Sequence, residues 1–298
     1  MVTIFLRGGL GNQMFQYAVG FALARRNNVP LTLDTTFLND RFPRRNFTYR
    51  TYDLDVFTIE PRFTALSKAS WRVPIPGVWL GFDLIGITAQ NFLGTQKLIK
   101  ENRAQVFDRN ILQIKGDFAL WGFWQSPRYF EDAAEELRVR KFRFRIPLEG
   151  RAKMLGEKIS AENSVSIHVR RGDYLWSSNQ SFYGGTNVAY YKRAVEYITE
   201  KTSSPHFYIF SDDQDWCREN MNFPYPTTFV DDEIAGSKSS FHLQLMSLCK
   251  NNIIANSTFS WWGAWLNHNS KKIVVAPKKW NADDRGNLDI LPSEWVAL

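Results

Sequence analysis

The sequence predicts an α/β chain made of two Rossmann-like halves. Three observations predict it. The chain opens on an apolar strand that runs into a glycine-rich turn and a helix, a Pro147-Leu-Glu-Gly150 joint interrupts it near the middle, and from Ser164 onward apolar strands alternate with amphipathic helices. Such alternation specifies a parallel sheet covered on both faces. The expected domains are 1–147 and 148–298. Composition agrees, because 298 residues with 44% hydrophobic and 22% charged side chains suffice for one large or two medium cores.

In chain order, Val2–Leu6 reads as a strand, Arg7-Gly-Gly-Leu-Gly11 as a turn, and Asn12 onward as a helix with Phe15, Ala18, Phe21 and Ala22 on one apolar face. Glycines at such a place let a ligand approach the backbone of a helix start, with Gly9 and Gly11 as the candidate positions, or they simply close a tight turn. The spacing is not G-x-G-x-x-G, which disfavours a nicotinamide or flavin cofactor. Leu31–Asp34 is a second strand, and Asp34 is expected to be structural although it is the tidiest carboxylate by topology. Arg41–Arg50 interleaves basic and aromatic residues, as a single-strand nucleic-acid surface or a solvated loop rim would. Trp71–Gly94 reads as loops around a groove. Phe118–Trp124 returns to strand character, and Ser126-Pro127 should cap a helix with acidic residues early and Arg138, Arg140 and Lys141 late. The second half then runs strand Ser164–Arg170, helix Ala189–Glu200, strand Phe207–Asp212, helix Phe241–Lys250, strand Ile253–Asn256, a short helix from Thr258, and strand Ile273–Ala276.

A net charge of +7 favours an anionic partner, whether nucleotide, nucleic acid or acidic lipid surface. Cys217 and Cys249 are the two cysteines, neither a disulfide framework nor a metal-ligand spacing, so a reducing compartment, the cytoplasm, is expected. Arg7, four glycines, Gln13 and Gln16 interrupt the apolar N-terminus, so no signal peptide is expected. No stretch reaches the roughly 20 apolar residues needed to span a bilayer. The sequons at Asn46, Asn179 and Asn256 therefore carry no weight. The basic stretch Arg138–Arg145 is either a solvated helix end or a peripheral contact with the inner face of a membrane.

Three strand ends in the second half collect chemistry. The first is Val165-Ser-Ile-His-Val-Arg-Arg-Gly-Asp-Tyr174, where a buried strand ends in His168, Arg170 and Arg171. A guanidinium fork matches phosphate oxygens bidentately, and open α/β sheets hold ligands at such ends; ordinary surface ion pairs are the alternative. The second is Phe210-Ser-Asp-Asp213, whose Asp212 and Asp213 either accept hydrogen bonds from a purine or ribose or cap the next helix. The third is Asn256-Ser-Thr-Phe-Ser-Trp-Trp-Gly-Ala-Trp-Leu266. There the hydroxyls of Ser257, Thr258 and Ser260, with the backbone N–H groups of a helix start, make a phosphate cradle. Trp261, Trp262 and Trp265 belong to the core. Asp212-Asp213, Asp231-Asp232 and Asp283-Asp284 could each suggest a metal, but none has a third ligand near in sequence.

Gly8-Gly-Leu-Gly-Asn-Gln-Met-Phe-Gln-Tyr17, His168-Val-Arg-Arg-Gly-Asp-Tyr174, Phe210-Ser-Asp-Asp213 and Asn256-Ser-Thr-Phe-Ser-Trp-Trp-Gly263 together resemble the bacterial α-1,2-fucosyltransferases of glycosyltransferase family 11. The motifs are shared in part with α-1,6- and protein O-fucosyltransferases. The resemblance implies a GT-B arrangement, two Rossmann-like domains facing across a cleft, with an acceptor-side first domain and a second domain that binds GDP-fucose. It implies an inverting transfer to the 2-hydroxyl of a terminal galactose, with no cofactor and no metal. Arg170 would then hold the β-phosphate with support from Arg171, and Asn12 would face the transfer centre. His168 and Asp212 or Asp213 would meet guanine or ribose, and Ser257, Thr258 and Phe259 the phosphates. The acceptor would be a galactose-terminated oligosaccharide or lipid-linked glycan. The general base, the exact acceptor and the oligomeric state are not legible in these motifs. A transferase using another nucleotide sugar is the first rival; a basic nucleic-acid-binding protein, which leaves the four motifs unexplained, is the second.

Overall fold

The computed structural model describes residues 1–43, 47–65, 67, 96–172, 187–281 and 289–298. Two compact units result: Met1–Arg143 with Leu288–Ile290, and Phe144–Asn287 with Leu291–Leu298. Both are parallel α/β units. Trp71–Gly94, Arg44–Asn46, Asp173, Tyr174 and Asp283-Asp284, all singled out above, lie outside the described residues.

The first unit contains strands β1 (Val2–Phe5), β2 (Leu31–Asp34), β3 (Lys97–Lys100) and β4 (Phe118–Trp121), in the order β2-β1-β4-β3 and all parallel. Helix α1 (Leu10–Asn27) connects β1 to β2 and buries Met14, Phe15, Ala18, Val19, Ala22 and Leu23. Its spacing of three and four residues is that of a helix packed along one broad face. The chain moves from β1 outward to β2 and later returns to β4 on the other side of β1, so the sheet reverses its order between β1 and β4. Crevices at such reversals are where open α/β sheets place ligands.

The second unit contains β5 (Ser164–Val169), β6 (His206–Ser211), β7 (Thr227–Phe229), β8 (Asn251–Ile253), β9 (Val274–Ala276) and β10 (Val296–Ala297). Their order, β7-β6-β5-β8-β9-β10 and all parallel, is the Rossmann order counted from β5. The helices are α2 (Gly150–Ala161), α3 (Val188–Thr199), α4 (Gln214–Asn220), α5 (Ser240–Leu248) and α6 (Thr258–Leu266). Side chains alternate along β5: Val165, Ile167 and Val169 pack with Tyr190, Tyr191, Ala194, Val195 and Ile198 of α3. Ser166 and His168 therefore face the other layer, where Asn252 donates to the Ser166 hydroxyl at 2.7 Å and Phe259 lies 5.8 Å from the His168 ring.

The expected helix after Ser126 is not continuous. It is a broken run of 3-10 turns (Pro127–Tyr129, Glu131–Ala133), one α turn (Ala134–Glu136) and a π turn (Leu137–Lys141), and the Ser126 side chain makes no cap bond. Tyr129, Phe130, Ala133 and Leu137 are all buried, so packing rather than capping shapes the segment. The strand expected to reach Trp124 stops at Trp121, because the chain turns at Gly122 and Trp124 adopts φ +56°. β8 begins two residues before the expected Ile253 and ends there. Helices α2 and α4 and strands β3, β7 and β10 are too short or too weakly periodic to stand out in sequence.

Trp261, Trp262 and Trp265 of α6 are buried, with Trp262 4.8 Å and 5.0 Å from the other two in edge contacts and Trp295 5.3 Å from Trp261. Truncating a fully buried tryptophan costs about 3–5 kcal/mol. Trp262→Ala should therefore lower the thermal midpoint by several degrees in calorimetry; an unchanged midpoint would show that this cluster is not a tight core.

Candidate functional site

The second sheet reverses its order between β5 and β8, and the expected residues of the first and third motifs collect at the ends of those two strands. After β8 the buried residues Ile254–Ser257 lead into α6, with Ser257 as its N-cap in extended conformation. The Ser257 hydroxyl makes no cap bond, and Thr258 and Phe259 are half-buried in the first turn. Ser260 is different: its hydroxyl donates to the Ser257 carbonyl at 3.1 Å and is only 1% exposed. Ser260 thus tightens the helix start, while Ser257 and Thr258 lie where an anion would meet the positive end of the helix.

Two carboxylates at the end of β6 hold the two arginines after β5. Arg170 Nη1 lies 2.8 Å from Asp212 Oδ2, and the Arg171 backbone N–H donates to Asp212 Oδ1 at 2.9 Å. Gly172 follows so closely that a Cβ there would displace the Asp212 carboxylate that holds Arg170. Arg171 turns the opposite way. Its Nε donates to Asp213 Oδ2 at 2.9 Å and its guanidinium lies 3.9 Å from the Trp216 ring centroid. Asp213 also accepts the Trp216 N–H at 3.1 Å as N-cap of α4, the second of its two readings. The Arg171 guanidinium holds the Asp213 carboxyl below the usual carboxylate range. The two neighbouring arginines therefore differ: Arg170 is the one at the strand end, and Arg171 is clasped to α4.

His168 is 7% exposed, and its Nδ1 is buried with no hydrogen-bond partner. Burial first, then the charges of Arg170 and His242, push its pKa down to about 3, so the imidazole is neutral at physiological pH. A buried unpaired nitrogen costs on the order of 1–3 kcal/mol, so its persistence calls for a reason.

In the first unit the glycine turn sits at the end of β1. Gly8 has φ +76°, and Gly9 is the N-cap of α1, with the Arg50 guanidinium 3.9 Å from where a Gly9 Cβ would stand. Gly11 is buried inside the first helical turn. Two fully buried glutamines pin this turn. Gln13 Nε2 donates to the carbonyls of Gly8 (2.8 Å) and Thr51 (2.7 Å), and its Oε1 accepts the Asp53 N–H. Gln16 Oε1 accepts the Arg7 N–H, and its Nε2 donates to the Gly122 carbonyl. In the sequence both stand as polar interruptions and as members of the Gly8–Tyr17 motif; their spacing of i and i+3 on the apolar face of a helix is the signal of this structural role. Asp34 is structural: its carboxylate accepts from Thr36 and, at 2.7 Å, from the Thr64 hydroxyl. Asp231 is paired with Arg151 at 2.8 Å. Among the described residues no three His, Cys, Asp or Glu side chains gather as metal ligands, and no helix is long and apolar enough to cross a membrane.

An open parallel sheet in Rossmann order, with an arginine and a hydroxyl-bearing helix start at its reversal, defines a GT-B-like α/β protein. The solved NodZ α-1,6-fucosyltransferase, co-crystallized with GDP, shares the fold with a TM-score of 0.52, covering 88% of this chain and 91% of that one at 16% identity. The chain belongs to glycosyltransferase family 11: residues 95–298 match the family described as Glycosyl transferase family 11, and it is therefore a glycosyltransferase. An Escherichia coli protein named alpha-1,2-colitosyltransferase is 33% identical, covering 100% of this chain and 99% of its own. Galactoside alpha-(1,2)-fucosyltransferase 2 of Oryctolagus cuniculus is 26% identical over 89% of this chain and 67% of its own length.

The neutral His168 sets a pH dependence. Below about 6.5, the ordinary histidine value, the unfolded chain takes up a proton that the folded chain refuses. Stability should therefore fall as pH drops from about 6.5 toward 3 and be flat above. The buried His242, also held below its ordinary value by burial, contributes in the same sense. Denaturant titrations of His168→Gln across this window should give a shallower slope than the parent; equal slopes would mean His168 titrates normally.

Proposed function

We propose that this glycosyltransferase moves L-fucose from GDP-β-L-fucose to the 2-hydroxyl of a terminal galactose, with inversion and without a metal. The observation that carries the reading is the meeting of His168, Arg170, Ser257 and Thr258 at one sheet reversal, in the motifs shared with the fucosyltransferases. An acceptor hydroxyl attacks the anomeric carbon from the face opposite the nucleotide. Positive charge grows on the sugar ring and negative charge on the departing diphosphate. Arg170 meets the β-phosphate, and the N–H groups and hydroxyls at the start of α6 meet the remaining phosphate oxygens. His168, being neutral, can accept a hydrogen bond from the nucleoside through the buried Nδ1 or donate one to it, according to its tautomer. Asp212, Asp213 and Arg171 enter by holding Arg170 and its loop in place. Asn12, over the glycine turn of the first unit, serves the reacting groups. The acceptor is a galactose-terminated oligosaccharide or lipid-linked glycan.

The relative named alpha-1,2-colitosyltransferase favours a second donor, GDP-colitose. Colitose is fucose without its 3-hydroxyl. A site whose buried polar groups hydrogen-bond that hydroxyl rejects the deoxy sugar strongly, whereas an apolar pocket separates the two poorly.

The test incubates the purified chain with each donor and a panel of β-galactosides in EDTA and assigns the new linkage by NMR. Fucose joined α-1,2 to galactose is expected. Turnover of GDP-colitose alone would replace the donor, an α-1,3 product would overturn the linkage, and loss of all turnover in EDTA would overturn the metal-free reading. A preorganised group aimed at developing charge is worth roughly a hundredfold or more in rate, so Arg170→Ala should lower kcat by about that factor. Arg170→Lys should also lose rate, because the bidentate fork is gone; a lysine variant at full rate would show that charge alone suffices.

A further inference from the structure

A line of three side-chain amides in the first unit ends on Asn12. Gln105 Nε2 donates to Gln125 Oε1 at 3.0 Å, and Gln125 Nε2 donates to Asn12 Oδ1 at 2.8 Å. Gln105 and Gln125 are 6% and 7% exposed, so the bond between them is buried, and the bond to the half-buried Asn12 is partly so. The line has a polarity. Because Gln125 donates to the Asn12 oxygen, the donor end of the Asn12 amide is turned away from Gln125, and it lies over Gly8, where it occupies the space a Cβ would need.

The backbone takes left-handed conformations at Gln105, with φ +63°, and at Trp124, the residue before Gln125, with φ +56°. A bulky residue in the left-handed region is an outlier that persists only when its surroundings over-determine it. They do so here. Glu101 accepts the N–H groups of Phe123 (2.7 Å) and Trp124 (2.9 Å), and the Ser126 N–H closes on the Trp124 carbonyl at 2.9 Å. At the other glutamine, the Asp289 N–H donates to the Gln105 carbonyl at 2.8 Å, while the Asp289 carboxylate accepts the Phe107 N–H and pairs with Arg128. Trp124 Nε1 and Ser126 Oγ are meanwhile buried without partners, a cost the loop carries rather than relaxing.

We propose that Gln125 is a positioning residue whose amide, itself set by Gln105, aims the donor end of Asn12 at the reacting group. The inference rests on the reading of Asn12 given above and deepens it. Reversing one amide in the line would turn the Asn12 oxygen, instead of its NH2, away from Gln125.

Gln125→Glu tests this. The glutamate keeps the shape and the acceptor for Gln105 but has nothing to donate to Asn12. Its kcat with GDP-fucose should fall about tenfold or more, while KM for the donor and the Kd for GDP, whose proposed groups lie in the second unit, stay within about twofold. The side-chain amide signals of Asn12 in a ¹⁵N spectrum should move, a readout independent of turnover. In a double-mutant cycle with Asn12→Ala, the loss caused by Gln125→Glu should vanish, because it acts only through Asn12. Thermal midpoints check folding, and Gln125→Ala offers a second variant if the glutamate unfolds the loop. Full kcat in Gln125→Glu, an unmoved Asn12 amide, or losses that add in the double mutant would each overturn the proposal. Asn12→Ala at the parent rate would overturn both the relay and the reading of Asn12, whereas no turnover of GDP-fucose by the parent chain, with the amide shift intact, would overturn the donor reading alone.

Discussion

A parallel strand covered on both faces can offer chemistry only where it ends. β5 is buried along its whole length, so the first side chains that can meet a ligand are His168 and the arginines after Val169. Two adjacent guanidiniums at such an end repel each other and lose hydration. The ends of the neighbouring strand supply the remedy, because Asp212 and Asp213 stand beside them and take one arginine each. The pairs are about a quarter to a third exposed, so each contributes little to stability on its own. Their effect is geometric. Each removes freedom from a long side chain, and together they send Arg170 and Arg171 in different directions from consecutive positions.

The first unit meets the same constraint with neutral groups. The start of α1, the loops after β1 and β4 and the segment Thr51–Asp53 bring backbone N–H and carbonyl groups into a nearly dry region. Gln13 and Gln16, both fully buried, satisfy five of them. An amide can donate and accept at once, so a single glutamine ties two segments together where a carboxylate or an ammonium could serve only one sense. The glycine turn is therefore rigid because polar side chains fasten it from beneath. A turn held in this way can present Asn12 in one orientation.

The aromatic side chains of the second unit divide along similar lines. The tryptophans of α6 fill the core behind the hydroxyls of Ser257 and Thr258, so the same short helix carries its anchor on one side and its polar start at the end. Phe259, between them in sequence, reaches the His168 ring. Local packing thus sets the environment that keeps His168 neutral.

Period-two and period-3.6 patterns, glycine turns and the four motifs were legible in the chain, because each depends on residues within a turn or two of one another. From them came the α/β class, the parallel alternation, the strand ends and the family. The broken segment after Ser126 was not legible, since packing overruled a good capping signal. Nor were the opposite directions taken by Arg170 and Arg171, the neutrality of His168, the helix cap and arginine pairing of Asp213, or the amide line into Asn12. Those arise from partners 42 positions apart for Arg171 and Asp213 and 113 apart for Gln125 and Asn12. Such contacts exist only once the sheets have formed, because hydrogen bonding and desolvation act through space while sequence patterns record only neighbours along the chain.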